Sequence, residues 1–468
     1  MSDLIYEREN AWLKLQDDEK KYVFDFADDY KLFLDLGKTE RETAAEIKRQ
    51  AIENGYISVE SVLSGEIKIK PGLKIYGVNK DKSIILIVLG KENIEKGMNI
   101  VGGHIDSPRL DLKQVPFYED TDLAMLKTHY YGGIKKYQWA STPLALHGVV
   151  MTKGNKKIEI AIGEDESDPV FFISDLLPHL AKDQMQKKAS EFIEGENLNL
   201  IVGNIPADDK DDKDGKDKVK ENILKILNEK YGITERDFLT AEIEVVPAGK
   251  ARDVGIDRSM ISSYGQDDRV CSYAGMKSMF EIDLPTLTAV GMFMDKEEVG
   301  SQGNTGSKSM YFENIMAELI NMQEEKYSDI YLRRSFMNTK VLSADVCCAY
   351  DPNFKSAYDK VNTGFMGYGL QVTKYTGSKG KSSCNDANAE FLREVGDIFD
   401  SSGVVWQTGE LGKVDQGGGG TIAYILANYG AEVVDCGVPI QSMHAPYELL
   451  SKVDLYMAYK GYKSFLNK

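Results

Sequence analysis

The sequence predicts an α/β protein in which a central, mostly parallel sheet between helix layers is interrupted by a β-rich insert. Three observations support this class. Continuously apolar runs at 84–89 and 98–103 are typical of strands covered on both faces. From about 115 to 246 the pattern changes to aromatic and β-branched runs, which are typical of half-exposed strands. After about 255 the alternation of apolar strands and helices returns.

Two helices are expected at the start of the chain. Residues 17–36 repeat apolar side chains at helical spacing. Thr39 and Glu42 then match a capping box, and Gly55 provides a stop signal for the helix that follows. The N-terminal region is therefore helical before the first strand.

Further elements are expected after the insert. Apolar segments at 287–294, 340–345 and 432–436 predict strands, and 387–399 predicts a helix. We therefore expect one discontinuous α/β domain, formed by 1–114 and 247–468, with a β-rich domain inserted at 115–246.

Charge and composition exclude several classes of partner. The 468 residues carry 57 basic and 74 acidic side chains, a net charge of −17. Nucleic-acid and anionic membrane surfaces require dense Lys and Arg on the protein that binds them, so we expect neither partner.

No apolar run approaches the roughly 20 residues of a membrane span, and the first residues lack a signal-peptide pattern. The five cysteines lack CxxC spacing, which favours reduced thiols in a cytoplasmic protein.

A histidine and a carboxylate stand at the end of the second apolar strand. Because residues two apart on a strand face the same way, Asp106 could hold the imidazole of His104 in the tautomer that binds a metal ion. A structural histidine satisfied by its neighbour explains the same pair. The pair alone does not decide between these two interpretations.

A second cluster of acids follows the strand that ends at 294. Glu297 and Glu298 are adjacent, so their side chains point in different directions and could address a cation and a neighbouring water. A charged turn is the simpler interpretation of this cluster. Asp267, Asp345 and His444 are further candidates at comparable positions.

Loops at the carboxyl ends of strands converge in open α/β sheets. Two histidines and three carboxylates suit a pair of borderline cations such as Zn²⁺ or Co²⁺. One carboxylate would bridge the ions and another acid would act as a base. This arrangement predicts two-metal hydrolysis.

Five ordered motifs carry a resemblance to a known family. The sequence resembles the aspartyl aminopeptidases, which are dinuclear zinc exopeptidases, and in particular their bacterial branch. The resemblance extends over nearly the whole chain. Its motifs are GGHIDSPRLDLK at Gly102, GQDDR at Gly265, DKEEVGS at Asp295, SADVCCAYDPNF at Ser343 and SMHAPYE at Ser442.

The resemblance implies an α/β/α zinc-exopeptidase fold and two divalent ions per subunit, with zinc first and cobalt or manganese as alternatives. The implied ligands are His104 and Asp345 on one ion, Glu298 and His444 on the other, and Asp267 as the bridge. Glu297 would be the general base, and Asp106 would orient His104. Asp268 is the neighbouring alternative to Asp267 as the bridging residue.

The family removes acidic residues from peptides with a free N-terminus. Its substrate lysine corresponds to Lys374, with Lys379 and Lys381 as alternatives in the same loop. His179 resembles a histidine that reaches the active site of a neighbouring subunit, and an ordinary loop histidine is its simpler interpretation.

Exposed strand edges in the insert would require cover by a symmetric partner, so we expect a homo-oligomer. The resemblance implies dimers through the insert and a tetrahedral dodecamer built from six of them. Two alternatives remain open at this point. One is a dinuclear aminopeptidase or amide deacylase of different specificity, and the other is a non-catalytic scaffold or cargo-binding protein.

Overall fold

The computed structural model describes residues 4–208, 216–324 and 326–468. It consists of two compact units. The larger unit comprises Met1–Asp106, Ala251–Met443 and Glu448–Lys468, and the smaller comprises Ser107–Lys250 and His444–Tyr447.

The helices of the described residues are, in chain order, α1 Asp17–Leu36, α2 Glu40–Glu53, α3 Val59–Leu63, α4 Lys218–Tyr231, α5 Gln266–Phe280, α6 Tyr311–Gln323, α7 Asp329–Met337, α8 Ala389–Ser401, α9 Ala423–Ala427 and α10 Lys452–Leu466. The strands are β1 Ile57–Ser58, β2 Lys74–Asn79, β3 Ser83–Val88, β4 Met98–His104, β5 Arg109–Asp120, β6 Leu123–Tyr131, β7 Leu144–Thr152, β8 Lys156–Ile162, β9 Leu200–Gly203, β10 Ala241–Pro247, β11 Arg252–Val254, β12 Met260–Ser263, β13 Thr288–Met294, β14 Lys340–Ser343, β15 Cys347–Cys348, β16 Leu370–Thr373, β17 Trp406–Thr408, β18 Glu432–Gly437, β19 Pro439–Gln441 and β20 Glu448–Ser451.

The predicted N-terminal helices are confirmed. Helix α1 spans the predicted residues, and Thr39 caps α2 in a reciprocal capping box with Glu42. Phe26 of α1 packs against the ring of Tyr273 with centroids 5.3 Å apart. Local spacing and capping chemistry are enough to define these helices.

In the described part of the larger unit, nine strands form a sheet in the order β1-β2-β3-β13-β4-β14-β18-β16-β17. Strand β4 lies between β13 and β14 and is parallel to both. Every residue of β3, β4 and β13 is buried. This confirms the α/β class and explains the continuously apolar runs, since both faces of these strands are covered.

The same unit contains a second sheet that the sequence did not predict. Its described strands follow the order β11-β12-β20-β19-β15, and β12 pairs with β20 in antiparallel register. These strands have only two to four residues each. Such short segments carry too little periodicity to be recognised.

The smaller unit contains a wholly antiparallel sheet. Among its described residues, six strands follow the order β8-β7-β10-β5-β6-β9. Buried and less buried residues alternate along most of β6, as the half-exposed pattern predicts. The predicted boundaries at 115 and 246 lie inside β5 and β10, whose backbones pair with each other. Of the helices that the structure describes in either unit, none has the length and apolar character needed to cross a bilayer.

Candidate metal centre

The site is built around His104, the last residue of β4. Because β13 and β14 run parallel to β4 on either side, the loops that follow all three strands start at the same sheet edge. His104 is 2% exposed. Strand pairing thus brings together segments that are distant in sequence.

Gly103 allows a close approach at this strand end. A methyl group in place of its hydrogen would lie 2.6 Å from Asp268 Oδ2 and 2.8 Å from the carbonyl oxygen of Ala344. Both distances are shorter than van der Waals contact, so only glycine fits without a shift. The glycine therefore permits α5 and the loop after β14 to pack against β4.

The two nitrogens of His104 have different partners. Nδ1 lies 2.9 Å from the carbonyl oxygen of Asp106 and 3.3 Å from its Oδ1. A carbonyl oxygen can only accept, so we assign the proton to Nδ1. Nε2 faces two carboxylates, with Asp267 Oδ1 at 3.2 Å and Asp345 Oδ1 at 3.8 Å. This orientation directs the metal-binding nitrogen toward the acids.

Within the described ranges, His104 belongs to two groups whose ligand atoms lie within 4.8 Å of one another. One contains Asp267 and Glu298, and the other contains Asp268 and Asp345. An imidazole nitrogen combined with carboxylate oxygens is a donor set that suits Zn²⁺. The residues present therefore fit a metal centre.

The pKa values of Asp345 and His104 reflect how closely the charged groups of the site lie to one another. Burial, together with the carboxylates of Asp268 and Glu297, raises the pKa of Asp345 well above its ordinary value despite the opposing effect of His104. Burial opposes charge on His104, yet hydrogen bonds with Asp106 and Asp267 raise its pKa well above the usual range. A divalent cation would favour the ionised carboxylates.

Asp106 also holds the loop that carries the two glutamates. Its carboxylate is fully buried and accepts the backbone N–H of Glu297 at 3.1 Å and that of Glu298 at 3.2 Å. These residues form a short 3₁₀ turn, Glu297–Val299, that lies between two residues with positive φ. The predicted contact between Asp106 and His104 is present, but Asp106 follows the end of β4 and does not share a strand face with His104.

The carboxylates of Asp267 and Asp268 approach different groups of His104. Asp267 directs Oδ1 at the His104 side chain, whereas Asp268 Oδ2 accepts the backbone N–H of His104 at 3.2 Å. Burial raises the pKa of Asp268 well above its ordinary value. Both carboxylates are thus close to His104, which the sequence alone did not indicate.

Three other predicted residues, His444, His179 and Lys374, do not belong to the two donor groups that share His104. His444 belongs to the smaller unit, where its Nδ1 lies 2.8 Å from the carbonyl oxygen of Gly133, and its role as a ligand stays a prediction. His179 is exposed on a loop of that unit. Lys374 donates to the Asp386 carboxylate and, at 2.7 Å, to the carbonyl oxygen of Ala387.

Two supporting residues were not assigned a role from the sequence. Glu448 Oε2 accepts the backbone N–H of Asp267 at 3.0 Å, and Thr305 Oγ1 donates to Asp295 Oδ2 at 2.5 Å. Glu448 stands in the quoted SMHAPYE motif, and Asp295 begins the DKEEVGS motif. Neither contact involves a pattern of spacing that a sequence reveals.

Comparison with known proteins identifies the family. Residues 33–466 match the family model described as aminopeptidase I zinc metalloprotease (M18). A Clostridium acetobutylicum protein named Probable M18 family aminopeptidase 1 is 52% identical, covering 100% of this chain and 99% of its own. A relative of the same name from Thermotoga maritima is 45% identical, covering 99% of both chains.

Solved structures agree with these matches. The crystal structure of an M18 aminopeptidase from Thermotoga maritima has a TM-score of 0.94 and 45% identity, covering 99% of this chain and 100% of that one. Aminopeptidase I from Clostridium acetobutylicum has a TM-score of 0.92 and 51% identity at the same coverage. The mApe1 dodecamer of S. cerevisiae, 21% identical over 95% of this chain and 97% of its own, shares the fold with a TM-score of 0.76.

The donor groups around His104 and the full-length similarity to aminopeptidases lead to one assignment. The chain belongs to the M18 family of zinc metallopeptidases and is an aminopeptidase.

Proposed function

We propose that the protein removes N-terminal residues from peptides by means of two divalent metal ions, with Asp or Glu as the preferred N-terminal residue. The observation that carries this proposal is the pair of donor groups that share His104. Asp345 with His104 would hold one ion, Glu298 the other, and Asp267 would bridge them. His444 is the fifth ligand that the family resemblance implies. When bound, Zn²⁺, or Co²⁺ or Mn²⁺ in its place, supplies Lewis acidity to the scissile carbonyl and to water.

Glu297 is the general base in this proposal. Its carboxylate lies close enough to Asp345 to raise the pKa of that group. It would take a proton from the attacking water and pass it to the nitrogen of the leaving amine. Asp106 fixes the backbone of Glu297 through the accepted N–H and so limits where the base can move.

Acidic specificity would depend on a lysine-lined cavity of about 180 Å³ in the larger unit. Lys379, Lys381 and Lys413 contribute to its wall. A substrate carboxylate would gain Coulomb attraction there. Lys374 and Lys381 share the carboxylate of Asp386, whose pKa their hydrogen bonds lower. Lys374, the lysine implied by the resemblance, would then support the loop or exchange partners when substrate binds.

A broader specificity is the second candidate, and one observation favours it. Glu410 and Asp415 line the same cavity, and Glu410 accepts the Tyr375 hydroxyl at 2.6 Å. These acids offset part of the positive charge. A neutral N-terminal side chain could then be accepted as readily as an acidic one.

We also propose a homo-oligomer assembled through the smaller unit, with six dimers in a tetrahedral dodecamer. In support, the loop that contains His179 exposes apolar side chains, among them Leu180 at 68% and Met185 at 70%. Large exposed apolar groups mark interaction surfaces. The related yeast protein is itself described as a dodecamer. His179 would reach the active site of the neighbouring subunit.

A cytoplasmic location is part of the same proposal. All five cysteines, each within the described residues, are free thiols. Reduced thiols are typical of proteins in a reducing compartment.

Chelation and a substrate panel test the proposed function. Dialysis against a chelator should abolish release of N-terminal Asp, Glu, Leu and Lys from matched peptide amides, and Zn²⁺, Co²⁺ or Mn²⁺ should restore it. Elemental analysis of the restored enzyme should give about two ions per chain. Preference for Asp and Glu supports the lysine cavity, and a flat profile supports the broader candidate. Chelator-resistant cleavage, or equal cleavage of N-acetylated peptides, would contradict both.

A further inference from the structure

Glu448 connects the second sheet of the larger unit to the metal centre. It is the first residue of β20 and is 2% exposed. Its Oε2 accepts the backbone N–H of Asp267, and its own carbonyl oxygen accepts Gln266 Nε2 at 2.7 Å. Glu448 is therefore bonded to the first two residues of α5 through its side chain and its backbone.

The backbone of Asp267 needs such a partner. N–H groups in the first turn of a helix have no acceptor within the helix. Asp267 (φ −81°, ψ 107°) and Asp268 (φ −115°, ψ 29°) also depart from helical geometry. The buried carboxylate of Glu448 supplies the acceptor for the Asp267 N–H. The position of the Asp267 side chain thus depends on a residue far away in sequence.

The second sheet holds Glu448 in place. Glu448 pairs with Ser263 in the ladder between β12 and β20, and Ser263 ends the strand that leads into α5. The acceptor therefore lies on one strand of a pair, and the turn that it bonds begins shortly after the end of the other strand. Such a frame limits the movement of the Asp267 carboxylate, which lies 3.2 Å from His104 Nε2.

We propose that Glu448 is a positioning residue of the metal centre, which directs the Asp267 carboxylate toward the metal by holding the Asp267 N–H. This role rests on the proposed function, in which Asp267 bridges the ions. Outer hydrogen-bond partners of metal ligands typically change metal affinity about 10- to 100-fold when they are removed. Glu448 itself would touch neither ion nor substrate.

Two conservative variants test separately whether the length of the Glu448 side chain or its negative charge positions Asp267. Glu448→Gln keeps the length of the side chain and can turn its carbonyl oxygen toward the Asp267 N–H, but it loses the negative charge. Glu448→Asp keeps the charge, but its carboxylate is withdrawn by one methylene from the Asp267 N–H. Positioning by the hydrogen bond predicts that the Asp variant is impaired more than the Gln variant.

The experiment measures metal binding to the full chain by calorimetry with Zn²⁺ and by the absorption spectrum of the Co²⁺-loaded protein. Glu448→Asp should weaken Zn²⁺ binding about 10- to 100-fold and shift the Co²⁺ bands, and Glu448→Gln should lose less than about tenfold. Asp454→Asn is the matched control, because Asp454 is also a buried carboxylate that accepts backbone N–H groups, those of Gly367 and Gly369. Its Zn²⁺ affinity and Co²⁺ spectrum should match those of the wild type.

The outcomes separate this inference from the proposed function. A wild-type protein that binds two ions and loses activity in chelator, together with a Glu448→Asp variant of unchanged affinity and spectrum, overturns the positioning role alone. Greater impairment of Glu448→Gln than of Glu448→Asp also overturns it, since charge would then be the decisive property. A wild-type protein that binds no divalent ion would reject the proposed function.

Discussion

The central sheet of the larger unit and the sheet of the smaller unit bury their side chains differently. All seven residues of β4 are buried, whereas buried residues alternate with partly exposed ones along β6 from 123 to 128. Nearly all residues of α10 in the larger unit are buried. Of the residues of α4, all of which the structure describes, Val219 alone is buried. The central sheet of the larger unit is therefore covered on both faces, and the candidate metal centre begins at the end of β4.

The smaller unit leaves apolar surface without such cover. Beside α4 is an apolar cavity of about 330 Å³, whose wall includes Phe117, Ile160 and Leu227. We therefore expect substitutions in the core of the larger unit to destabilise the protein more than substitutions beside this cavity, and we expect the smaller unit to supply the surface for the proposed association.

The largest effect on activity is expected when one carboxylate oxygen of Glu297, the proposed base, is replaced by an amide nitrogen. Glu297→Gln should lower kcat about 10²- to 10⁴-fold because an amide cannot take a proton from water at neutral pH. Elemental analysis should show unchanged metal content. Glu191→Gln, on the exposed surface of the smaller unit, is the control and should leave kcat unchanged. Full activity of Glu297→Gln would mean that another group is the base.

Replacing a leucine by alanine should lower the free energy of unfolding more in the larger unit than in the smaller unit. Leu342 of β14 is 0% exposed, so Leu342→Ala should lower the free energy of unfolding by about 2–5 kcal/mol. Leu227 of α4 is only partly buried beside the cavity, and Leu227→Ala should cost less than about 1 kcal/mol. Urea denaturation followed by circular dichroism measures both values. Equal losses would contradict the difference in packing.

Burial of helix α10 in the larger unit should also make the stability of the protein depend on pH. Burial raises the pKa of Asp454 from 3.8 to about 8, although the N–H groups of Gly367 and Gly369 oppose the shift. The folded state then binds the proton more tightly than the unfolded state. Its contribution to stability is complete below about pH 4 and is lost as pH rises through about 8.

Asp454→Asn tests this dependence, because asparagine does not titrate. Between pH 5 and 8 the wild type should lose about 1 to 4 kcal/mol of unfolding free energy through this group, and the variant should show a flatter profile. Thermal unfolding at a series of pH values gives the comparison. Parallel profiles would show that Asp454 is already ionised when folded.

The smallest effect is expected on association through the smaller unit. Leu180→Asp should weaken self-association about tenfold or more, about 1.4 kcal/mol, because it places a charge in the proposed contact. Leu13→Asp changes a leucine of the larger unit that is also exposed, at 84%, and serves as the control. Light scattering over a concentration series measures both. Equal association of the two variants would exclude this loop from the interface.

Local features of the chain were sufficient to predict much of the fold. The apolar spacing of α1, the capping box of α2, and the apolar runs of β3 and β4 depend on residues that are close in sequence. The sheet of β11, β12, β15, β19 and β20 was missed, because its short strands form only by pairing with distant segments. Within the candidate site, too, the residue types could be predicted from the sequence, whereas the contacts between distant segments could not.

The sequence by itself determined the chemical groups of the centre, namely an imidazole at the end of one buried strand and two adjacent acids, Glu297 and Glu298, after another buried strand, β13. Only the tertiary structure decided that both Asp267 and Asp268 approach His104, that Asp106 bonds the backbone of Glu297, and that Glu448 bonds Asp267. The physical reason is that residue types and short-range spacing specify donors and strands. Distances between these donors depend on strand pairing and on backbone hydrogen bonds between segments that are far apart in the chain.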